Sequence, residues 1–381
     1  MAISANAERP NATSSGGARW LIWLRRVLQP RRTKRVNPPL ATPRVINLTA
    51  TKDIVYCRNT DGHRQSYVDL FAEHLRLVPL AGPIRWSTFV ALVGARRLLF
   101  ATIDDDYAGF ILVATIRSIL RKRTVAMFLR PASCFRTDGL IHLAKRWVFQ
   151  RLKHLPGLTV LAITPFDLKP AVASVAHDWV HDPQLWDLGK RSVASAASPL
   201  GQQIAAHADG RKVLAFIGSA RTIKGFQYLN EIFAADPDVQ TQIHVVVAGR
   251  IAKDCADAAS QLRARGATIE DRHITDAEMT EVYQRSEFIW CCYRSDYDQP
   301  SGIFGRAVQL GRKPIVRAGS LIAHYDLHTG TDFIRLPYGT PLEAARQLLA
   351  LARMKPAPVA VPTTAINQWR DDFVTTCNAA L

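Results

Sequence analysis

Two short stretches of the chain hold residue types suited to binding a phosphate ester. The first is FIGSARTIKGF, residues 216–226. An apolar run ends at Gly218, and Lys224-Gly225 then opens a helix-like segment. Amides at a helix N-terminus, joined by Arg221 and Lys224, make a phosphate site. The plainer alternative is a basic, solvated loop. The second stretch is YRSDYDQPSGIFGRAVQLGRKPIV, residues 293–316. A polar loop with Asp296, Asp298 and Ser301 leads into a helix that starts at Gly302 and ends by Gly311. A Ser-Gly start lets backbone amides approach an anion closely.

Three weaker constellations lie upstream. The loop NTDGHRQSY, residues 59–67, offers Gly62 for close approach, with His63 and Arg64 for phosphate or acid–base work. A capping or surface histidine is the plainer reading of His63. In FLRPASCF, Arg130 follows a strand-like run, where a cation can face an anionic ligand or serve the fold alone. Asp104-Asp105-Asp106 has the composition of a metal-binding triplet. It equally suits a helix N-terminus, with Asp104 or Asp105 as the cap and the dipole favouring acid there; the reading adopted is no metal.

These loops need elements that hold them. From residue 44 onward strand-like and helix-like segments alternate. IVYC, RLLFATI, VAMFLR and TVLAIT read as strands, as does VINL before them. The segments 65–74, 107–120 and 140–153 read as helices between them. The stretch 190–210 is rich in small residues and reads as an inter-domain linker with room for a short helix. Alternation then resumes through VLAFIGS, IHVVVAG, ATIED, FIWCCY and KPIV, and a last amphipathic segment spans 366–380. Such alternation argues for parallel sheets covered by helices. Ligands of these sheets bind at the carboxyl ends of the strands, where the two basic loops fall. The expected organisation is an arm and linker (1–43), a first Rossmann-like domain (44–190), a linker (191–210), a second Rossmann-like domain (211–355) and a C-terminal crossing helix (356–381).

Length and composition agree with two packed cores: 381 residues, 48% apolar and 21% charged. The charge is lopsided, with 49 Lys and Arg against 32 Asp and Glu, a formal +17. A field of that sign attracts polyanions, namely nucleic acid, anionic membrane or phosphorylated small molecules. The six cysteines are scattered with no CxxC pair, which fits reduced, buried thiols rather than zinc or disulfides. No apolar run approaches the roughly 20 residues of a membrane span. In ARWLIWLRRVLQPRRTKRV, Trp20, Trp23, Leu24, Val27 and Leu28 share one helical face, and arginines lie towards the other. This arm suits an anionic bilayer surface. An ordinary packed helix is its plainer reading.

From Val213 to about Tyr325 the chain resembles the donor-binding half of GT-B glycosyltransferases, most closely family 4. The resemblance lies in the order of features: Gly218 to Lys224-Gly225, then VVVAG at 245–249, IEDRHIT at 269–275, VYQRSEFIWCCY at 282–293, and a Ser-Gly helix before a Pro-containing strand. The family carries two glutamates around that last helix start, at positions held here by Asp298 and Arg306. Its Arg ahead of the Lys corresponds to Ser219, with Arg221 nearby to supply charge. The resemblance implies two facing Rossmann-like domains and a final helix, with Trp369, crossing back to the first. It implies a nucleotide-sugar donor, UDP- or GDP-linked, and no further cofactor. Lys224 and Arg221 then hold the diphosphate, with Gly218 and Gly249 close by. Arg272, His273 and Ile274 hold the base, and Asp298, Ser301, Gly302 and Arg306 the sugar and phosphate. His63 and Arg130 stand with Lys224 as the catalytic candidates, near a lipid-linked or oligosaccharide acceptor. Retention at the anomeric carbon, surface-glycan synthesis and a peripheral place at the inner face of a bacterial cell membrane are further implications.

Two rivals stand beside this reading. One is a non-catalytic scaffold of the same fold, motivated by Arg306 and Ser219. The other is a nucleic-acid binder, motivated by charge alone and lacking a binding motif.

Overall fold

The structure is a computed structural model that describes residues 52–60, 63–188, 198–299, 301–355 and 361–381. The basic arm, the VINL segment, Gly62 and the side chain of His63 lie outside the described residues. The first sheet contains β1 (Ile54–Cys57), β2 (Val78–Ala81), β3 (Leu98–Phe100), β4 (Thr124–Phe128), β5 (Leu158–Ala162) and β6 (Asp178–Trp179). Their order is β2-β1-β3-β4-β5-β6, all parallel. The second sheet contains β7 (Lys212–Ile217), β8 (Ile243–Ala248), β9 (Thr268–Glu270), β10 (Phe288–Cys291), β11 (Lys313–Arg317) and β12 (Ile334–Leu336). Its order is β12-β11-β10-β7-β8-β9, again parallel. Chain direction across the sheet reverses between β1 and β3 and between β7 and β10. At such a reversal the following loops splay apart and leave a crevice.

The central strands are continuous apolar runs because helices cover both faces. VVVA of β8 and VAMF of β4 are wholly buried. Each sheet has an outer-face core of its own. In the first sheet Tyr56, Phe100, Phe110, Phe128 and Phe149 pack as aromatic neighbours. In the second, Phe216 and Phe226 meet edge to face among Leu214, Val247 and Leu348. A third core is shared between the lobes. It joins Val55, Leu99 and Val125 of the first sheet to Val213, Val246 and Ile289 of the second. Between them lie Leu185, Trp186 and Tyr325, and the final helix Thr363–Ala380. Phe373 of that helix stacks on Phe71 at 5.0 Å between ring centres, and Trp369 lies against His181. The crossing helix is therefore present and is held by aromatic contacts. All six cysteines are free and buried. Pro199–Ala208, within the stretch that reads as a linker, is a helix capped by Ser198 and packed on the second sheet through Leu200 and Ile204.

Candidate functional site

The carboxyl ends of both sheets face one cavity of about 530 Å³. The second sheet contributes the loops that leave β7 and β10 on either side of its direction reversal. The β7 loop is shaped by glycine. Gly218 and Gly249, at the exits of β7 and β8, have φ of +85° and +139°. They sit back to back: a Cβ on Gly249 would lie 2.3 Å from the Gly218 carbonyl oxygen. Gly225 turns the chain into the helix Phe226–Ala235 with φ +72°, and a Cβ there would lie 2.1 Å from the Cys292 carbonyl oxygen. Only glycine satisfies both demands. The buried Trp290 indole donates to the Lys224 carbonyl at 3.1 Å, and the Arg294 amide donates to the Ile223 carbonyl at 3.2 Å. These contacts fix the backbone beneath Lys224.

Seven basic side chains line the cavity: Arg64, Arg130, Arg221, Lys224, Arg250, Arg272 and Arg306. The lining carboxylates are Asp104 and Asp182. Three of the cations are already neutralised. Arg64 pairs with Asp105 at 2.6 Å, Arg272 with Glu270 and Glu278 at 2.6 Å each, and Arg306 with Asp187 at 2.8 Å. Arg130, Arg221, Lys224 and Arg250 have no carboxylate partner among the described residues. Burial holds the Lys224 ammonium below its ordinary range, and the neighbouring Arg221 adds to this. Four unpaired cations converging on one cleft form an electrostatic sink for a multiply charged anion.

No family model and no curated protein matches the chain. Solved structures do match. Anabaena Alr3699/HepE in complex with UDP-glucose aligns with a TM-score of 0.61 at 12% identity, over 86% of this chain and 97% of that one. The S. aureus MnaA-UDP structure aligns with a TM-score of 0.54 at 11% identity, over 86% and 97%. Both likenesses span the two lobes. The chain has the GT-B fold.

In this GT-B cleft most of the residues singled out from sequence come together. Gly218, Arg221, Lys224, Gly249, Arg272, His273, Ile274, Ser301, Gly302, Arg306 and Arg130 all line the cavity. Ser219 lines it too and accepts from the Arg221 guanidinium at 3.3 Å. The backbone at 272–274 is set by a capping box: Thr275 and Glu278 cap the helix Asp276–Gln284, and Glu278 also grips Arg272.

Four expectations need correction. Asp298 does not line the cavity. It accepts from the Leu321 amide at 2.8 Å and pairs with Arg317 at 3.2 Å, so it braces the loop after β11. Arg306, expected at the sugar and phosphate, is instead already paired with Asp187, in the segment leaving the first lobe. Gly302 owes its identity to protein packing: a Cβ would meet the Gln184 side chain at 2.0 Å, and Gly305 is likewise covered by the Gln184 backbone. In the acidic triplet the cap of the helix Tyr107–Ile119 is Asp106, not Asp104 or Asp105. Asp104 instead accepts from the Leu129 and Arg130 amides and from the Tyr107 hydroxyl, which fixes the Arg130 loop.

Sequence reasoning passed over Arg250, which directly follows the VVVAG run, and Asp182. Asp182 sits in the HDPQ segment, where it accepts from Tyr67 Oη at 2.7 Å and from the Gln184 amide at 2.9 Å. Burial pushes its pKa up to about 6. Only the fold brings Tyr67 to it, across more than a hundred residues.

Buried histidines make the fold sensitive to acid. Burial, with His328 alongside, pushes His181 down to about 3, and burial pushes His244 down to about 4. The unfolded chain takes up these protons near its ordinary value of about 6.5. Below that pH the unfolded state therefore binds more protons, and stability falls. Asp182 acts oppositely between about 6 and 3.8, offsetting part of the loss. Thermal melts followed by circular dichroism should show the midpoint falling from pH 7 to pH 5. In His244→Gln the slope should be shallower; an identical slope removes His244 from the account.

Proposed function

We propose that the chain is a glycosyltransferase that moves a sugar from a nucleoside-diphosphate donor to a glycan acceptor. The observation that carries this reading is the set of unpaired cations on glycine-shaped loops at the reversal of the second sheet. The solved UDP-glucose complex of the structurally similar HepE supports the donor class. On this reading Lys224 and Arg221 neutralise the diphosphate, and helix N-terminal amides near Gly302 add positive potential. The backbone at 272–274 holds the base. As the anomeric C–O bond breaks, negative charge collects on the leaving diphosphate, and the fixed cations stabilise it there. The acceptor hydroxyl oxygen forms the new glycosidic bond. In a retaining transfer it attacks from the face that the diphosphate leaves, so its proton passes to a departing phosphate oxygen, while Asp182 holds Tyr67 and the Gln184 amide in the first-lobe wall. Arg130 faces the acceptor side, with His63 as a further acid–base candidate. Retention, a hexosyl group, a lipid-linked acceptor and a surface-glycan product belong to this proposal. So does a peripheral station at the inner face of the membrane, held by the basic arm. No helix among the described residues is long and apolar enough to cross a membrane.

The test is a thermal-shift screen of UDP- and GDP-sugars, followed by product analysis with glycan acceptors. A ligand at a hundred times its Kd stabilises by about 2.7 kcal/mol, which a melt resolves. Stabilisation with transfer supports the reading. Stabilisation without transfer to any acceptor favours the scaffold of the same fold, for which Ser219 and Arg306 argue. No shift with any nucleotide sugar overturns it.

A further inference from the structure

Large apolar side chains exposed to solvent are unevenly distributed over this molecule. Sixteen are exposed among the described residues, and nine lie on three helices of the first lobe or at their ends. The helices are Trp86–Gly94, Tyr107–Ile119 and Leu140–Leu152. They connect β2 to β3, β3 to β4 and β4 to β5, and they cover the same face of the first sheet. Their inner sides share one core through Leu92, Phe110 and Phe149. Their outer sides are not the polar surface expected of a helix facing water. Trp86 is 78% exposed, Ile119 76% and Leu140 78%, with Leu112, Leu143 and Trp147 each more than half exposed. Exposed apolar side chains gathered on three helices of one sheet face mark an interaction surface.

Its charge tells what it meets. Arg121, Lys122 and Arg123 follow Ile119 and Leu120 and line an open, net basic hollow at the amino-terminal end of the sheet, together with Arg96 and Arg97, which share Asp53, and with the last residue of the chain, Leu381. Arg146 and Arg151 flank Trp147, and the Arg151 guanidinium lies 5.5 Å from the Trp147 ring centre. Tryptophan and leucine beside arginine is the composition that enters the headgroup layer of an anionic bilayer.

We infer that the outer face of these three helices is a docking surface for an anionic lipid bilayer. It is formed by the folded body, from residues other than those of the basic arm at 1–43. The face begins at the cleft side of the lobe, at Trp86 and Leu140, the first residues of their helices. It ends at the basic hollow on the opposite side. Docking along it brings the acceptor side of the cleft towards the lipid surface. The inference stands whether or not the donor reading is correct.

The test uses the full chain in vesicle co-sedimentation. Vesicles of phosphatidylcholine alone are compared with phosphatidylcholine containing phosphatidylglycerol. The variants are Trp86→Ser/Leu143→Ser/Trp147→Ser and, separately, Arg121→Glu/Arg123→Glu. Because the changed side chains are exposed, circular dichroism should show wild-type folding, and Leu327→Ser in the other lobe serves as the control. The wild-type chain should bind the anionic vesicles. Both sets of variants should bind roughly tenfold more weakly or worse, with the control unchanged. Binding that persists at wild-type strength in both variants overturns the inference and leaves the arm as the anchor. A triple variant that turns a dimer into a monomer without loss of vesicle binding also overturns it, and assigns the face to a second copy. If the triple variant fails to fold, the arginine pair decides alone.

Discussion

Replacing Lys224 with alanine should weaken nucleotide-sugar binding on the order of a hundredfold while leaving the ligand-free protein no less stable. The two effects have one cause. Lys224 is a half-buried cation with no carboxylate partner among the described residues, and Arg221 stands beside it. In the ligand-free protein it has lost hydration without gaining an ion pair, so its removal relieves an unfavourable term. With a diphosphate in place it makes charge-assisted bonds worth roughly 1.5–3 kcal/mol each. In turnover the loss should be larger, of order 10²–10³ in kcat, because charge builds on the leaving group in the transition state. Titration calorimetry with the donor found in the screen measures the first effect, and a melt of the ligand-free variant measures the second. Lys224→Met keeps the apolar stem and should show the stability gain more cleanly. Wild-type donor affinity in a folded Lys224→Ala protein would place the diphosphate elsewhere. Arg221→Ala should cost less, since Arg221 is exposed and solvent screens it.

The second large effect concerns stability. Arg306 lies on the helix Gly302–Gln309 of the second lobe, and Asp187 lies in the segment that leaves the first. Arg306 donates to Asp187 through both Nε and Nη2, at 3.1 and 2.8 Å. Asp187 also accepts from Gln309, which bonds the Gln184 carbonyl. The two charged side chains are only 14% and 8% exposed. Arg306→Ala would leave Asp187 buried and unpaired, at a cost of about 3–5 kcal/mol. The melting temperature should fall by roughly 4–6 °C. Arg306→Glu, which introduces the residue type of the family-4 pattern that the sequence resembles, should be worse, because two carboxylates would then face each other. Arg306→Leu combined with Asp187→Leu should recover most of the loss, since a buried pair replaced by apolar groups is often neutral. Equal melting of Arg306→Ala and wild type would remove this pair from the list of contacts that join the lobes.

Much of the fold is legible along the chain because its central strands are short apolar runs between turn residues. IVYC, VAMF and IHVVVA announce themselves in this way. The strands left unmarked by sequence are β2, β6 and β12, and each lies at a sheet edge. VPLA carries a proline, β6 has two residues, and IRL has a charge at its centre. An edge strand needs apolar side chains on fewer sides, so its signal is weak. The helix Trp86–Gly94 also escapes notice, because exposure of its outer apolar residues erases helical periodicity. The site divides by the same logic. Loops whose shape demands glycine at Gly218, Gly225 and Gly249 are visible from residue type alone. Long-range pairings are not: no local pattern tells that Arg306 will find Asp187, that Asp298 will brace Leu321, or that Asp182 will meet Tyr67.

The apolar core that spans the lobes has a thermodynamic consequence. Val55 and Val125 of one sheet and Val213 and Ile289 of the other belong to a single cluster, closed by Phe373 from the chain's last helix. Cutting the chain between the lobes would leave each half with a greasy face and nothing to cover it. Neither half is thus an independent folding unit, and the whole should melt in one cooperative step. Free energy supplied by a ligand on one side then protects the amides of the other as well.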